Sequence, residues 1–228
     1  MQQRTDILVA TAVRDNAAWC ASLCAAHGIT SDVIDGVWRA HAPTPEGYPE
    51  AVTLEHGLDP ESVLAALPKW ATSVKDSFAD IDLTGGRFRV LLGGRWVARA
   101  SRAASSEPGA LDGAVLAPVH GERELSEWAT AHGNAGAFRP PLLDDPTVVI
   151  LGGRERGAVV SGAVVSVGSD AVGLSNVFGA ASVYQAAAAE AERQFPGRPI
   201  VGWESDGDLA APLAAGFSVI GPLRVWAR

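Results

Sequence analysis

A chain of 228 residues is long enough for one sizeable domain or two small ones. At 47% hydrophobic and 19% charged it is too apolar for a disordered polymer, and no apolar run approaches the roughly 20 residues that cross a bilayer, so a soluble globule without a membrane partner is expected. A net charge of −8 argues against a phosphate-backbone footprint and excludes nucleic acid as the main partner. The opening MQQRTDILVATAVRDN lacks a signal-peptide core and cleavage site, which makes the cytoplasm the expected compartment. Sixteen of the eighteen basic residues are arginine, a bias better explained by genome composition than by function. Cys20 and Cys24 are too few for a disulfide scaffold and read as reduced packing residues.

In chain order, Asp15 to His27 reads as an amphipathic helix: Asp15 and Asn16 are candidate caps, Trp19, Leu23 and Ala26 share a face, and Gly28 follows as a stop. DVIDGVWRAHA and YPEAVTLEHG show apolar alternation around a Pro/Gly-rich connection and predict two strands joined by a loop. PESVLAALP predicts a short helix with proline at an early position. Phe88 to Arg99 reads as a strand that Gly93-Gly94 can break.

Residues 100–109, small and polar, form the best linker, and they divide the chain into lobes 1–104 and 105–228 with charges of −2 and −6. Beyond it GAVLAPV predicts a strand and GERELSEWATAHG a helix stopped by Gly133. PTVVILGG, GAVVSGAVVSVG and VGLSNVF suit an antiparallel meander. Ala181 to Phe195 is an alanine-rich helix, PIVGW a strand, DGDLAAPLAAG a short helix, and FSVIGPLRVWAR a terminal strand pair or one bent strand. A weak echo aligns Phe88, Val90, Arg95 and Ala98 with Phe217, Val219, Arg224 and Ala227, as half-domain duplication would leave.

From residue 110 onward, the order ending in VGLSNVF, a long helix and PIVGWESDGDLAAPLAAGFSVIGPLRVW resembles the GNAT acyltransferase superfamily. The first-lobe segments DNAAWCASLCAAHG, DGVWRAHAPTPEGYPEAVTL and SVKDSFADIDL look like those of actinobacterial GNAT-like proteins, and suggest a partial, pseudo-duplicated GNAT-like lobe capping the cleft. The resemblance implies an α/β (α+β) fold with a mixed, mainly antiparallel sheet flanked by helices. It also implies that VGLSNVF and PIVGW are the fourth and fifth strands, splayed to admit acetyl-CoA or another acyl-CoA, which donates its acyl group to a small-molecule amine. The family's phosphate loop, Gln/Arg-x-x-Gly-x-Gly/Ala, is altered here: FGAAS keeps Gly179 but has neither the Gln/Arg nor the second glycine in register. The backbone from Asn176, Val177 and Phe178 through Gly179, Ala180, Ala181 and Ser182 is the expected donor-binding segment. A GNAT-fold binding protein that has lost acyl transfer, or a cleft reused for other chemistry, is the alternative.

Amine acylation needs a neutral amine, a polarised carbonyl and a proton for the leaving thiolate. Glu204, at the end of the proposed fifth strand, is the candidate base, or else a solvated neighbour of Asp206 and Asp208. Tyr184, early in the long helix, is the candidate thiolate acid, or else core. Ser175 is a candidate cleft residue, and Trp38, Tyr48 and Trp203 form either an aromatic wall or core. Lys75-Asp76-Ser77 is a polar substrate contact or a turn with a capping serine. Arg154, Arg156, Arg193 and Arg198 are candidates for a terminal phosphate. The five histidines lack ligand spacing, so no metal is expected, and there is neither a nucleophile elbow nor a nucleotide-binding glycine loop.

Overall fold

The structure is a computed structural model and describes residues 2–100, 115–168 and 170–228. The expected linker and the lobe boundary at 104 fall largely on residues 101–114 and lie outside the described residues.

Helix α1 runs from Gln2 to Ala26, well upstream of the expected start at Asp15. Val9, Ala12 and Val13 recur at helical spacing and bury against Trp96 and Leu223, so the first turns have a packing face of their own. Asp15 and Asn16 are therefore mid-helix residues turned inward, not caps. The segment expected as the first strand is a hairpin of β1 (Ser31–Ile34) and β2 (Val37–Ala40). Asp35 and Gly36 both take positive φ, 49° and 76°, which a two-residue turn between twisted strands requires. Strand β3 (Ala51–Thr53) follows, then α2 (Pro60–Ala66), where Asp59 accepts from the Ser62 amide as a cap, and β4 (Ser73–Asp76).

Strand β5 (Arg89–Arg99) is continuous through Gly93-Gly94. Both glycines allow close approach: a Cβ on Gly94 would lie 2.7 Å from the Glu204 carbonyl oxygen, and one on Gly93 2.6 Å from the Asp206 carboxylate. The second half follows the expected order: β6 (Leu116–Pro118), α3 (Glu122–His132), β7 (Val148–Glu155), β8 (Ala158–Val167), β9 (Val172–Phe178), α4 (Ser182–Gln194), β10 (Ile200–Ser205), α5 (Ala210–Ala214) and β11 (Ser218–Ala227). Strand β11 is one bent strand, with register shifts at Val219/Gly221 and Val225/Trp226.

All eleven strands join one sheet in the order β1-β2-β3-β4-β11-β5-β10-β9-β8-β7-β6. It is antiparallel except at β3/β4 and β9/β10. The last strand of the chain thus inserts between two strands of the first half, and the strands carrying the sequence echo, β5 and β11, are antiparallel neighbours. On one face α4 and α5 pack over Val97, Leu174, Ile200 and Phe217. On the other, α1 and α3 cover Ile150, Val164, Trp96 and Val201. The result is a mixed, mainly antiparallel sheet between helical layers, with β5 at its centre and β10 and β9 next to it on the side of the second half.

Candidate active site

Strands β9 and β10 run parallel but share only two register pairs, Ile200 with Val172 and Val201 with Gly173, and then part. Gly202 stands at the fork, where a Cβ would lie 2.5 Å from the Leu174 carbonyl oxygen, so only glycine lets the strands come this close before they splay. On its other side β9 slips register against β8 between Ser175 and Phe178, and Asn176 sits there with φ of +52°. Such a bulge leaves a residue of β9 without a partner and re-aims its neighbours toward the gap.

A cavity of about 540 Å³ opens at this splay. Ser175, Asn176 and Val177 line it from β9, Trp203, Glu204 and Ser205 from β10, and Asn16, Trp19 and Cys20 from α1. The loop residue Tyr48 and Lys75 of β4 close it, so first-half elements cap a cleft formed by second-half strands. The Tyr48 hydroxyl donates to Asn176 Oδ1 at 2.8 Å, and Asn176 Nδ2 donates to Ser175 Oγ at 3.0 Å. Burial raises the Tyr48 phenol well above its ordinary range, so it stays a neutral donor that ties the cap to the bulge.

The three acids of the β10 end have different partners. Asp206 pairs with Arg95 at 2.8 Å, and Asp208 accepts from Ser205 Oγ at 2.6 Å. Glu204 is half-buried, lines the cavity, and accepts from the Tyr184 hydroxyl at 2.6 Å. Burial raises the Glu204 carboxyl above the usual carboxylate range, the Tyr184 bond opposes that rise, and Asp208 adds to it. Burial, then the Glu204 charge, raises Tyr184 so that it remains protonated. Tyr184 does not itself line the cavity; it packs edge-on to Phe217 and reaches the site through Glu204.

At the opposite wall Lys75 is 2% exposed. Its ammonium donates to Asn16 Oδ1 at 2.8 Å and sits 4.1 Å from the centroid of the Trp203 ring. Burial pushes it down to about 8, which leaves it mostly charged at neutral pH. Burial also pushes the neighbouring Cys20 thiol up to about 11, so it is no thiolate nucleophile.

The remaining expected residues divide by strand geometry. Trp38 packs with Cys20, Cys24 and Val52 and does not line the cavity. Asp76 lies on the opposite face of β4 from Lys75 and is fully buried; it accepts from the amides of Phe78, Asp80 and Ile81 and pairs with Arg224 at 3.2 Å, so its carboxylate is not offered to a ligand. Lys75 and Asp76 end β4, and Ser77 opens the turn after it, whose amides are held by the Asp76 carboxylate and not by the serine. Phe178 stacks edge-on to Trp128 and His132. Gly179, Ala180, Ala181 and Ser182 form the exposed entry to α4, which no side chain caps. Gly179, at φ of +108°, passes so close to β8 that a Cβ would meet Ser161 at 2.6 Å. Arg193 pairs with Glu190, and Arg198 donates to the Gly168 carbonyl, both at the far end of α4. Arg154 pairs with Glu127, and Arg156 follows it at the β7–β8 turn, so none of the four sits at the entry to α4.

Sequence reading missed Asn16, Trp19, Cys20, His132 and Asn134 as cavity residues. His132, held neutral by burial, stacks on Trp128 at 5.2 Å. The inward polar pair Asp15-Asn16 inside an apolar-periodic run was the available signal for the helix residues.

No protein-family model matches the sequence, and neither does any curated protein. Among solved structures, the GCN5-related N-acetyltransferase from Kribbella flavida superposes with a TM-score of 0.61 over 95% of both chains at 15% identity. A GNAT-family protein from Novosphingobium aromaticivorans DSM 12444 superposes at 0.56 over 87% of this chain and 91% of its own, at 12% identity. By these superpositions this chain has the GNAT acetyltransferase fold.

Proposed function

We propose that this protein is an acyl-CoA-dependent N-acyltransferase, using acetyl-CoA or a related thioester, that acts on a small amine-bearing metabolite. The observation that carries this reading is the Glu204–Tyr184 hydrogen bond at the splay, with a cavity of about 540 Å³ beside it. The uncapped entry to α4 supports it, because the first amides of a helix offer N–H groups and a positive dipole end to a pyrophosphate. The altered loop fits such a donor through backbone alone, at Gly179 to Ser182.

In this reading the acceptor ammonium first releases a proton to solvent, and the half-buried Glu204, its pKa raised, takes the second proton from the attacking amine as the new bond forms. The amine nitrogen bonds to the thioester carbonyl carbon, and the amides of the β9 bulge near Val177 hold the oxyanion. The C–S bond breaks as the carbonyl re-forms, and the proton gathered on Glu204 passes to the thiolate sulfur while Tyr184 holds the carboxyl through the 2.6 Å hydrogen bond. Transfer is direct, because Cys20 is held as a thiol.

Calorimetric titration with acetyl-CoA and free CoA tests the reading first. Saturable binding is expected, and a folded protein that binds neither would leave a GNAT-fold binding module in its place. With an acceptor in hand, Glu204→Gln should lower kcat by about 10²–10⁴-fold. Wild-type kcat/KM should fall on the acid side with a midpoint above the ordinary carboxylate range, as the raised Glu204 carboxyl requires. Equal rates for Glu204→Gln at every pH would remove Glu204 from the chemistry.

A further inference from the structure

The cavity has two electrical ends. At one, Glu204 and Asp208 line the wall and pair with no cation among the described residues, whereas Asp206 beside them is neutralised by Arg95. At the other, Lys75 is buried and aligned against Trp203, and no carboxylate among the described residues forms an ion pair with it. The one hydrogen bond its ammonium makes among the described residues goes to the neutral Asn16 amide oxygen, although an ammonium has three donors. A desolvated charge with so little compensation is costly unless an anion meets it. The groups that face it from α1 are Asn16, Trp19 and Cys20, from β10 Trp203, and from β9 Ser175; none is anionic at neutral pH.

We propose that the cavity selects a zwitterion: an amine that carries a carboxylate, as an amino acid does, with the carboxylate on Lys75 and the amine toward Glu204. Trp203, against which Lys75 lies, precedes Glu204 on β10, and all three line the one cavity, so a ligand seated in the splay meets both the ammonium and the carboxylate. A charge-assisted hydrogen bond to Lys75 rewards the carboxylate, and an amine without one would leave the ammonium unpaired. That the zwitterion is the acyl acceptor rests on the transferase reading; the ligand class does not.

The sequence contains two lysines, Lys75 and the exposed Lys69, so lysine labelled with ¹³C at Cε gives a two-signal NMR spectrum that Lys75→Met assigns. The standard L-amino acids would be titrated one at a time, then the decarboxylated amine of each one that binds, with acetyl-CoA as a separate arm. At least one amino acid should shift the Lys75 signal saturably and raise its midpoint from near 8, while its decarboxylated amine does neither. In turnover, Lys75→Met should raise KM for that amino acid by about ten- to a hundredfold and lower KM for the decarboxylated amine, which no longer leaves an ammonium unpaired. Lys75→Arg should recover part of the loss. Acetyl-CoA binding with no amino acid moving the Lys75 signal would overturn the zwitterion pocket and leave the transferase reading standing. Amino acids moving Lys75 without any CoA binding would keep the pocket and remove the transferase.

Discussion

Lys75 and Asp76 are consecutive residues of β4, both charged and both buried, and they are treated in opposite ways. Strand alternation sends them to opposite faces of the sheet. Asp76 meets Arg224, the Trp226 indole and three loop amides, so its charge is met from within the chain and organises the turn after β4. Lys75 meets one amide oxygen, an aromatic face and a cavity. Asp15 supplies a third treatment: its carboxylate accepts from Ser166, and burial pushes it up to about 7, so it escapes much of its charge by keeping its proton. A buried charge matched by the fold serves the fold, and one left unmatched at a cavity wall is available to a ligand.

The largest expected effect falls on the matched charge. Asp76→Asn leaves Arg224 without its counter-charge and turns an amide donor toward groups that are already donors, so it should lower stability by about 3 kcal/mol in urea unfolding. A change below about 1 kcal/mol would mean that the loop amides and Arg224 find other partners, and the contrast with Lys75 would lose its basis.

This contrast was only partly legible in the sequence. Glycine-bounded β-branched runs and the alanine-rich helix gave the element order of the second half, because both signals are local. Insertion of β11 between β4 and β5 was not legible, since pairing of the last strand with the first half depends on contacts more than a hundred residues apart. Glu204 and Tyr184 could be nominated from their elements, but their mutual hydrogen bond is a property of the packed α4 and β10. Lys75 was ambiguous because one lysine in SVKDS carries no period. Its burial follows from Asn16 and Cys20 of α1 and Trp203 of β10 closing over it, a long-range packing that the segment around Lys75 does not encode. Trp38 and Asp76 resembled site residues by type, and alternation placed them elsewhere.

Asp15 sharpens the comparison through pH. An unfolded aspartate releases its proton near 3.8, whereas the folded one holds it to about 7. Between those values the folded state binds more protons, so the Asp15 contribution to stability falls as pH rises through the window and levels off above it. Asp15→Asn keeps an acceptor for Ser166 and removes the ionisation. It should match wild type near pH 4 and be more stable by about 2 kcal/mol at pH 8, measured by thermal or urea unfolding at both. A difference independent of pH would show that Asp15 is ionised in the fold and matched like Asp76.

Lys75→Met should have the smallest effect on stability, and it divides the two readings of that residue. Methionine keeps the unbranched stem against Trp203 and removes both the charge and its hydrogen bond to Asn16. If the ammonium is an unmet charge, losing it relieves about as much desolvation as it forfeits in contacts, and unfolding at pH 7 should stay within about 1 kcal/mol of wild type. The pH dependence carries the sign: folded Lys75 loses its proton near 8, below the 10.5 of a free lysine, so the unfolded chain binds more protons between those values and wild-type stability gains from Lys75 as pH rises through them. Lys75→Met should lack that gain, measured as the difference between unfolding curves at pH 7 and pH 10. A loss as large as that of Asp76→Asn would make Lys75 a structural charge, and the cavity would then have no reason to prefer an acceptor bearing a carboxylate.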